Sequence, residues 1–203
     1  MKKLLILTAI ILFGFTNVKA QETNFGAKAG VNFATFTGDG DHNDTRTAIH
    51  VGIMAEFMIS DMFAFQPELM YSAQGAKYSD AQDGEGTYDG VFKNDYINIP
   101  LMAKYYVAEG FSLEAGPQVG FLISSIEEYE EINTGEADDW DVKDKFKGID
   151  FGINIGVAYK LEGGLNFGAR YNLGFSDLND DPEYFGDTNF KNGVIQVSLG
   201  YFF

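Results

Sequence analysis

The last ten residues, Val194-Ile195-Gln196-Val197-Ser198-Leu199-Gly200-Tyr201-Phe202-Phe203, alternate between two kinds of side chain. In an extended strand Ile195, Val197, Leu199, Tyr201 and Phe203 share one face, and Gln196, Ser198 and Gly200 the other. The same parity, odd numbers apolar, recurs in seven earlier segments. The period therefore predicts eight strands, at about 25–36, 49–59, 62–75, 96–107, 111–123, 149–161, 165–175 and 194–203. Strands of roughly 10–14 residues match what a tilted strand needs to cross a bilayer.

The odd face is almost free of polar groups. The even face carries Lys28, Asn32, His50, Glu56, Gln66, Glu68, Asn98, Lys104, Glu114, Gln118, Asn154, Asn166, Arg170, Asn172 and Gln196. A soluble barrel would turn the odd face inward, and a membrane barrel turns it to lipid. Two features favour lipid. The even face is rich in Gly and Ala, and aromatics gather at the strand ends. Phe63, Tyr105, Phe111, Tyr159, Tyr201 and Phe203 lie beside short turns, and Tyr71, Phe121 and Phe175 beside long loops, as interfacial girdles do.

Composition excludes several classes. The 203 residues contain no Cys, so disulfides, thiolate metal sites and thiol nucleophiles are ruled out. A formal net charge of -16 argues against nucleic acid as a partner. Lys2 and Lys3, the apolar run Leu4 to Phe15, and Val18-Lys19-Ala20 predict a cleaved signal peptide over 1–20 and a single barrel domain over 21–203. The apolar run is too short for a spanning helix, which needs about 20 residues.

The connections alternate in length. Short turns are expected at Ser60-Asp61, 108–110 and 162–164, and long loops at about 37–48, 76–95, 124–148 and 176–193. The fold class expected is all-β: an eight-stranded antiparallel up-and-down transmembrane β-barrel. Its N-terminus would be periplasmic and its long loops extracellular, and it would sit as a monomer in the outer membrane. The eighth strand would pair with the first and leave no edge. Pro100 and Pro117, unfavourable in mid-sheet, each predict a bulge or local break.

Four stretches resemble a known family. They are Phe25-Gly26-Ala27-Lys28-Ala29-Gly30-Val31-Asn32, Phe65-Gln66-Pro67-Glu68-Leu69, Tyr96-Ile97-Asn98-Ile99-Pro100-Leu101-Met102-Ala103-Lys104-Tyr105-Tyr106 and Glu114-Ala115-Gly116-Pro117-Gln118-Val119-Gly120. In this order they are similar to the small outer-membrane β-barrel domain of Bacteroidota known as the porin family, or PorT-like. The resemblance implies an outer-membrane barrel and no particular activity. It also implies that the terminal Phe203 is an assembly signal read by the barrel-assembly machinery. Outer-membrane lipid and lipopolysaccharide would surround the wall.

An eight-stranded barrel is just wide enough for side chains to fill it. The even face supplies the acids Glu56, Glu68 and Glu114 and the bases Lys28, Lys104 and Arg170, with Lys160 at the rim. Buried charges need partners, so these are expected to form one lumen network with Arg170 as a bidentate carboxylate partner. The alternative is a gated solute path. Catalysis is disfavoured because His42 and His50 are the only histidines. No catalytic residue and no cofactor is expected.

The acids concentrate in the long loops. Loop three alone holds nine between Glu127 and Asp144, against Lys143, Lys145 and Lys147. Asp39-Gly40-Asp41-His42-Asn43-Asp44 opens somewhat like an EF-hand loop but has His50 where the twelfth-position Glu belongs. Asp39, Asp41, Asp44, Asp177 and Asp181 are thus weak candidate ligands for Ca2+, and a solvated charged rim is the competing reading. Loop three is expected to be a hairpin above the barrel. Glu127 would pair with Lys145 and Ser125 with Lys147, turning at 134–136. Trp140, near the tip, would anchor an envelope protein partner or pack on Tyr129.

Overall fold

A computed structural model describes residues 23–39, 43–82, 86–131 and 137–203. The expected signal peptide, together with Asp41 and His42 of the first loop, lies outside the described residues. Alternating side chains and frequent aromatic and β-branched residues form long antiparallel strands. These are β1 (Thr23–Gly38), β2 (Asn43–Met58), β3 (Phe63–Gln82), β4 (Gly86–Ala108), β5 (Phe111–Glu131), β6 (Ala137–Asp141), β7 (Ile149–Lys160), β8 (Leu165–Gly174) and β9 (Phe190–Phe202). Consecutive strands pair, except that β6 lies on the far edge of β5 and β7 follows β5 in the wall. The strand β9 returns to β1, from Gly26 opposite Phe202 to Gly38 opposite Phe190. The eight wall strands therefore close into an up-and-down barrel with no edge in its wall.

The parity reading holds along the wall. All fifteen polar even-face residues named above are buried, while Phe25, Ile49, Ile53, Ile155 and Phe151 stand more than half exposed on the outside. At the short-turn end Phe63 and Tyr105 lie 4.8 Å apart, and Tyr201 and Phe203 5.9 Å apart. The Phe203 amide donates to the Phe25 carbonyl at 2.8 Å, so the last residue still belongs to the ladder.

Prolines and bulges shape the wall differently. Pro67, Pro100 and Pro117 each lack an N–H, and beside each the ladder skips two pairs and then resumes in register. Bulges occur elsewhere. Residues 95 and 96 of β4 face 124 and 122 of β5, which leaves Ile123 unpaired. One extra residue reverses the alternation. Above it Ser125 and Glu127 turn inward and are buried, where unbroken parity predicts that they face out. A second irregularity, between Thr45 and His50 of β2, frees carbonyls of β2 and β3.

The largest departure from expectation lies above the lipid-facing band. Segment 76–95, read as a loop, continues β3 and β4 as a paired ribbon, from Ala76 opposite Phe92 to Gln82 opposite Gly86. The ribbon carries on through β5 to β6, so the upper rim on this side is sheet. The opposite side is closed by a four-residue helix, α1 (Pro182–Phe185), with Asp181 as its N-cap and Pro182 at its first position.

Candidate functional site

Three layers fill the lumen. The layer nearest the short turns is ionic. Arg170 donates to both oxygens of Glu68, at 3.0 Å each, and to Glu114 Oε1 through Nε at 3.1 Å and Nη2 at 2.8 Å. Lys28 reaches Glu68 at 2.6 Å. Glu56 accepts from Lys104 at 2.8 Å, from the Tyr106 hydroxyl at 2.5 Å and from Lys160. Gln66 joins the two groups, donating to Glu68 at 2.7 Å and accepting from Lys104 at 3.1 Å. The structure thus brings Lys28, Glu56, Glu68, Lys104, Glu114 and Arg170 into one connected array. Phe202 seals its end, with Lys160 4.9 Å from the ring centre.

The middle layer is neutral. His50 Nε2 lies 2.8 Å from Ser198 Oγ, and His50 Nδ1 2.7 Å from Asn32 Oδ1. The Asn32 amide nitrogen donates to the Ala73 carbonyl at 2.7 Å and the Ile49 carbonyl at 3.3 Å, next to the β2 irregularity. That orientation makes Oδ1 the acceptor for His50 and leaves Nε2 to accept from Ser198. The order Ser–His–Asn is that of a hydrolytic triad. It lies inside the lumen, however, with ionic and aromatic layers at its two ends.

The third layer was not anticipated. Phe36, Leu122, Val142, Phe146, Leu178 and Phe190 form a buried cluster at the loop end, with Phe92 and Phe185 packed against it. Ring centres of Phe146 and Phe185 are 5.0 Å apart, and those of Phe36 and Phe190 5.1 Å. The available signal was that Phe36, Phe92, Phe146 and Phe190 all carry inward parity, a cluster of large apolar groups on an otherwise polar face.

The outer loops are locked over this lid. Lys145 bonds Asp181 at 2.8 Å and Lys147 bonds Asp177 at 2.9 Å. This corrects the expected pairing of these lysines with Glu127 and Ser125. A 3₁₀ turn at Lys143–Lys145 ends the hairpin before they can reach β5. Glu127 instead stands opposite Trp140 in the ladder and accepts from Tyr78 at 2.5 Å and from Tyr184. Burial, then the hydrogen bond to Glu127, hold the Tyr184 phenol above its ordinary pKa. The hydrogen bond from Lys145 holds Asp181 below the usual carboxylate range. The hydrogen bonds that Lys145 donates to Asp181 and Asp144 raise its own pKa in turn.

Trp140 stacks on Tyr129 at 4.7 Å and leaves about half its surface exposed, at 47%. The β6 edge beyond it is unpaired among the described residues. Beside it runs an open cleft of about 500 Å³ lined by Asp44, Lys77, Asp89, Glu128, Glu130, Asp138 and Asp139 among others. Among the described residues, the weak calcium candidates do not form a metal-holding group. Asp39 accepts from the Asn189 amide at 3.1 Å, Asp44 borders the cleft, and Asp177 and Asp181 each hold a lysine.

Comparison with known proteins agrees with this architecture. The attachment invasion locus protein Ail of Yersinia pestis superposes with a TM-score of 0.53 at 14% identity, over 90% of this chain and 99% of that one. Ail in complex with the heparin analogue sucrose octasulfate gives 0.52 at 15% identity, over 90% and 99%. Neisserial surface protein A gives 0.50 at 14% identity, over 89% and 98%. At these identities the likeness is one of fold. No curated protein matches the chain. The model of one family, the outer membrane protein β-barrel domain, matches residues 19–180, and the chain belongs to that family.

Proposed function

We propose that this outer-membrane barrel is an anchor with a filled lumen, and that its work is done by the acidic loop face as a structural or interaction surface in the envelope. The observation that carries this reading is the double closure of the lumen. Ionic pairs fill one end, and an aromatic lid tied down by α1 fills the other. Such a barrel offers no continuous polar path for a solute. The loops face outward and the N-terminus lies in the periplasm, with the barrel working as a monomer among lipopolysaccharide. The four signature stretches support placement in the PorT-like branch. Planar-bilayer recording of the folded monomer tests the reading: silence is expected, and a steady large conductance would replace the anchor by a small-solute porin.

Ser198–His50–Asn32 is read here as a positioning relay rather than a catalytic one. A fluorophosphonate probe is expected to leave Ser198 unlabelled in the folded barrel, and labelling that depends on His50 would make the protein a hydrolase. The partner of the loop face should be basic, because acids line the cleft and the open β6 edge. Heparin, a polyanion, is therefore expected to be excluded, unlike the analogue bound to Ail. Cross-linking from intact outer membranes followed by pull-down identifies the partner, and loss of the cross-link in Trp140→Ala locates it at β6. Calorimetry with chelator-stripped protein tests the loop acids for calcium, where a rim that is only solvated gives no heat.

A further inference from the structure

Between the neutral layer and the aromatic lid lies a group of buried oxygens that nothing in the array above serves. Asp150 of β7 accepts from Asn192 Nδ2 at 2.9 Å through one oxygen, and its other oxygen, Oδ1, has no hydrogen-bond partner. Because the Asn192 amide nitrogen is committed to Asp150, its Oδ1 is fixed as an acceptor, and this too is unpartnered. Asn172 repeats the pattern, donating to Asn154 Oδ1 at 3.2 Å and leaving its own Oδ1 unpartnered. The Tyr96 hydroxyl lies within electrostatic reach of Asp150 and beside Asn192 and Asn94, and has no partner at hydrogen-bonding geometry. Exposure is 0% for Tyr96 and Asn192, 2% for Asn172 and 5% for Asp150.

Register places these groups on adjoining strands. Asn172 of β8 pairs with Val194, one inward step from Asn192 on β9. Asp150 pairs with Gly120 of β5, where the Asn98 side chain and the Tyr96 ring take the space a larger residue would need. Three unpartnered acceptors, Asp150 Oδ1, Asn192 Oδ1 and Asn172 Oδ1, therefore gather around a carboxylate that lacks an ion pair, and the Tyr96 hydroxyl and Asn94 Nδ2 are the unpartnered donors near them.

Charge sharpens the problem. The three buried acids of the ionic layer are matched by three buried bases, Lys28, Lys104 and Arg170, while Lys160 lies at the rim. Asp150 has no ion pair among the described residues, and Asn192 and Ser176 are the groups that act on it. A buried carboxylate with neither cation nor full hydrogen bonding is costly, and such groups are paired or bind metals. Hard carboxylate, amide and phenol oxygens suit a hard cation. A single carboxylate is balanced by a single positive charge, whereas a divalent ion would leave a buried excess. We propose that Asp150, Asn192, Asn172 and Tyr96 form a buried sodium-binding site beneath the aromatic lid.

Binding only to the folded barrel would raise its stability by mass action. The test compares thermal unfolding of the refolded full barrel in sodium chloride and in N-methylglucamine chloride at equal ionic strength. The midpoint is expected to rise saturably with sodium, and Asp150→Asn and Asn192→Leu to lose that rise. Equal midpoints in the two salts would overturn the proposal, leaving a water-filled or neutral-acid cluster. A sodium response kept by Asp150→Asn would overturn the assignment of this site, and a calcium response in sodium-free buffer would overturn the choice of ion. Should the variants not fold, equilibrium dialysis of the wild-type barrel against radioactive sodium decides, with retention of one ion expected and none retained overturning it.

Discussion

The two halves of the lumen solve the same problem in opposite ways. Near the short turns every buried acid meets at least one base, and Glu56 and Glu68 each meet two. Near the loops the polar groups are mostly amides, several of them short of a partner, and closure is left to aromatic rings. The difference teaches where tolerance should lie. An ion-pair array fails when one member is removed, because the survivors stay buried and uncompensated. A lid of rings loses packing in proportion to what is cut away.

The largest test is Arg170→Met, which strands Glu114 and takes one of its two bases from Glu68. A loss of about 4 kcal/mol is expected in urea unfolding of the micelle-refolded barrel. If the cost is no greater than that of Asn172→Ala, the division into two halves collapses. Phe146→Ala removes the most buried phenylalanine of the lid. It should cost about 3 kcal/mol, with faster amide exchange in α1 and β9 but not around Glu56. Tyr184→Phe deletes one bond to a buried carboxylate and should cost about 1 kcal/mol, visible as exchange confined to 181–186. Exchange spreading to β1 would mean that lid and wall are one unit.

The smallest effect is that of pH on the tether between Lys145 and Asp181. The Asp181 carboxyl is held below its ordinary value in the folded state. Its contribution is therefore fully present above the ordinary Asp range, about 3.9, and is lost as pH falls through the lower folded value. Lys145 is raised in the folded state. Its contribution is present below the ordinary Lys value, about 10.4, and is lost as pH rises through the higher folded one. Carboxyl NMR titration should give Asp181 a midpoint below that of exposed aspartates, and an ordinary midpoint would show the tether to be absent in solution.

How much could be read beforehand follows from the same physics. Period two is a strong signal where one face meets lipid, so Ile49, Ile53 and their counterparts located the wall and its polar partners at once. The signal fails above the lipid-facing band, where both faces of a ribbon are polar. The continuation of β3 through Lys77 and Ser79 therefore looked like a loop. The inward turn of Glu127 was hidden by one unpaired residue, Ile123, which reverses parity without any mark in composition. The aromatic lid was written in the sequence as Phe36, Phe92 and Phe190 on the polar parity. Its residues come from segments far apart in sequence, and only the closed ring brings them together.

Closing that ring has a kinetic side. The seam joins Gly26 to Phe202, almost the full length of the barrel domain. Contacts so distant in sequence repay their loop-closure entropy late, so the seam is expected to zip after the local hairpins. Until then both β1 and β9 expose unpaired backbone. A chain cut short before β9 would remain an open sheet with sticky margins, so loss of that strand should show itself as aggregation during transit rather than as a weakened barrel in the membrane.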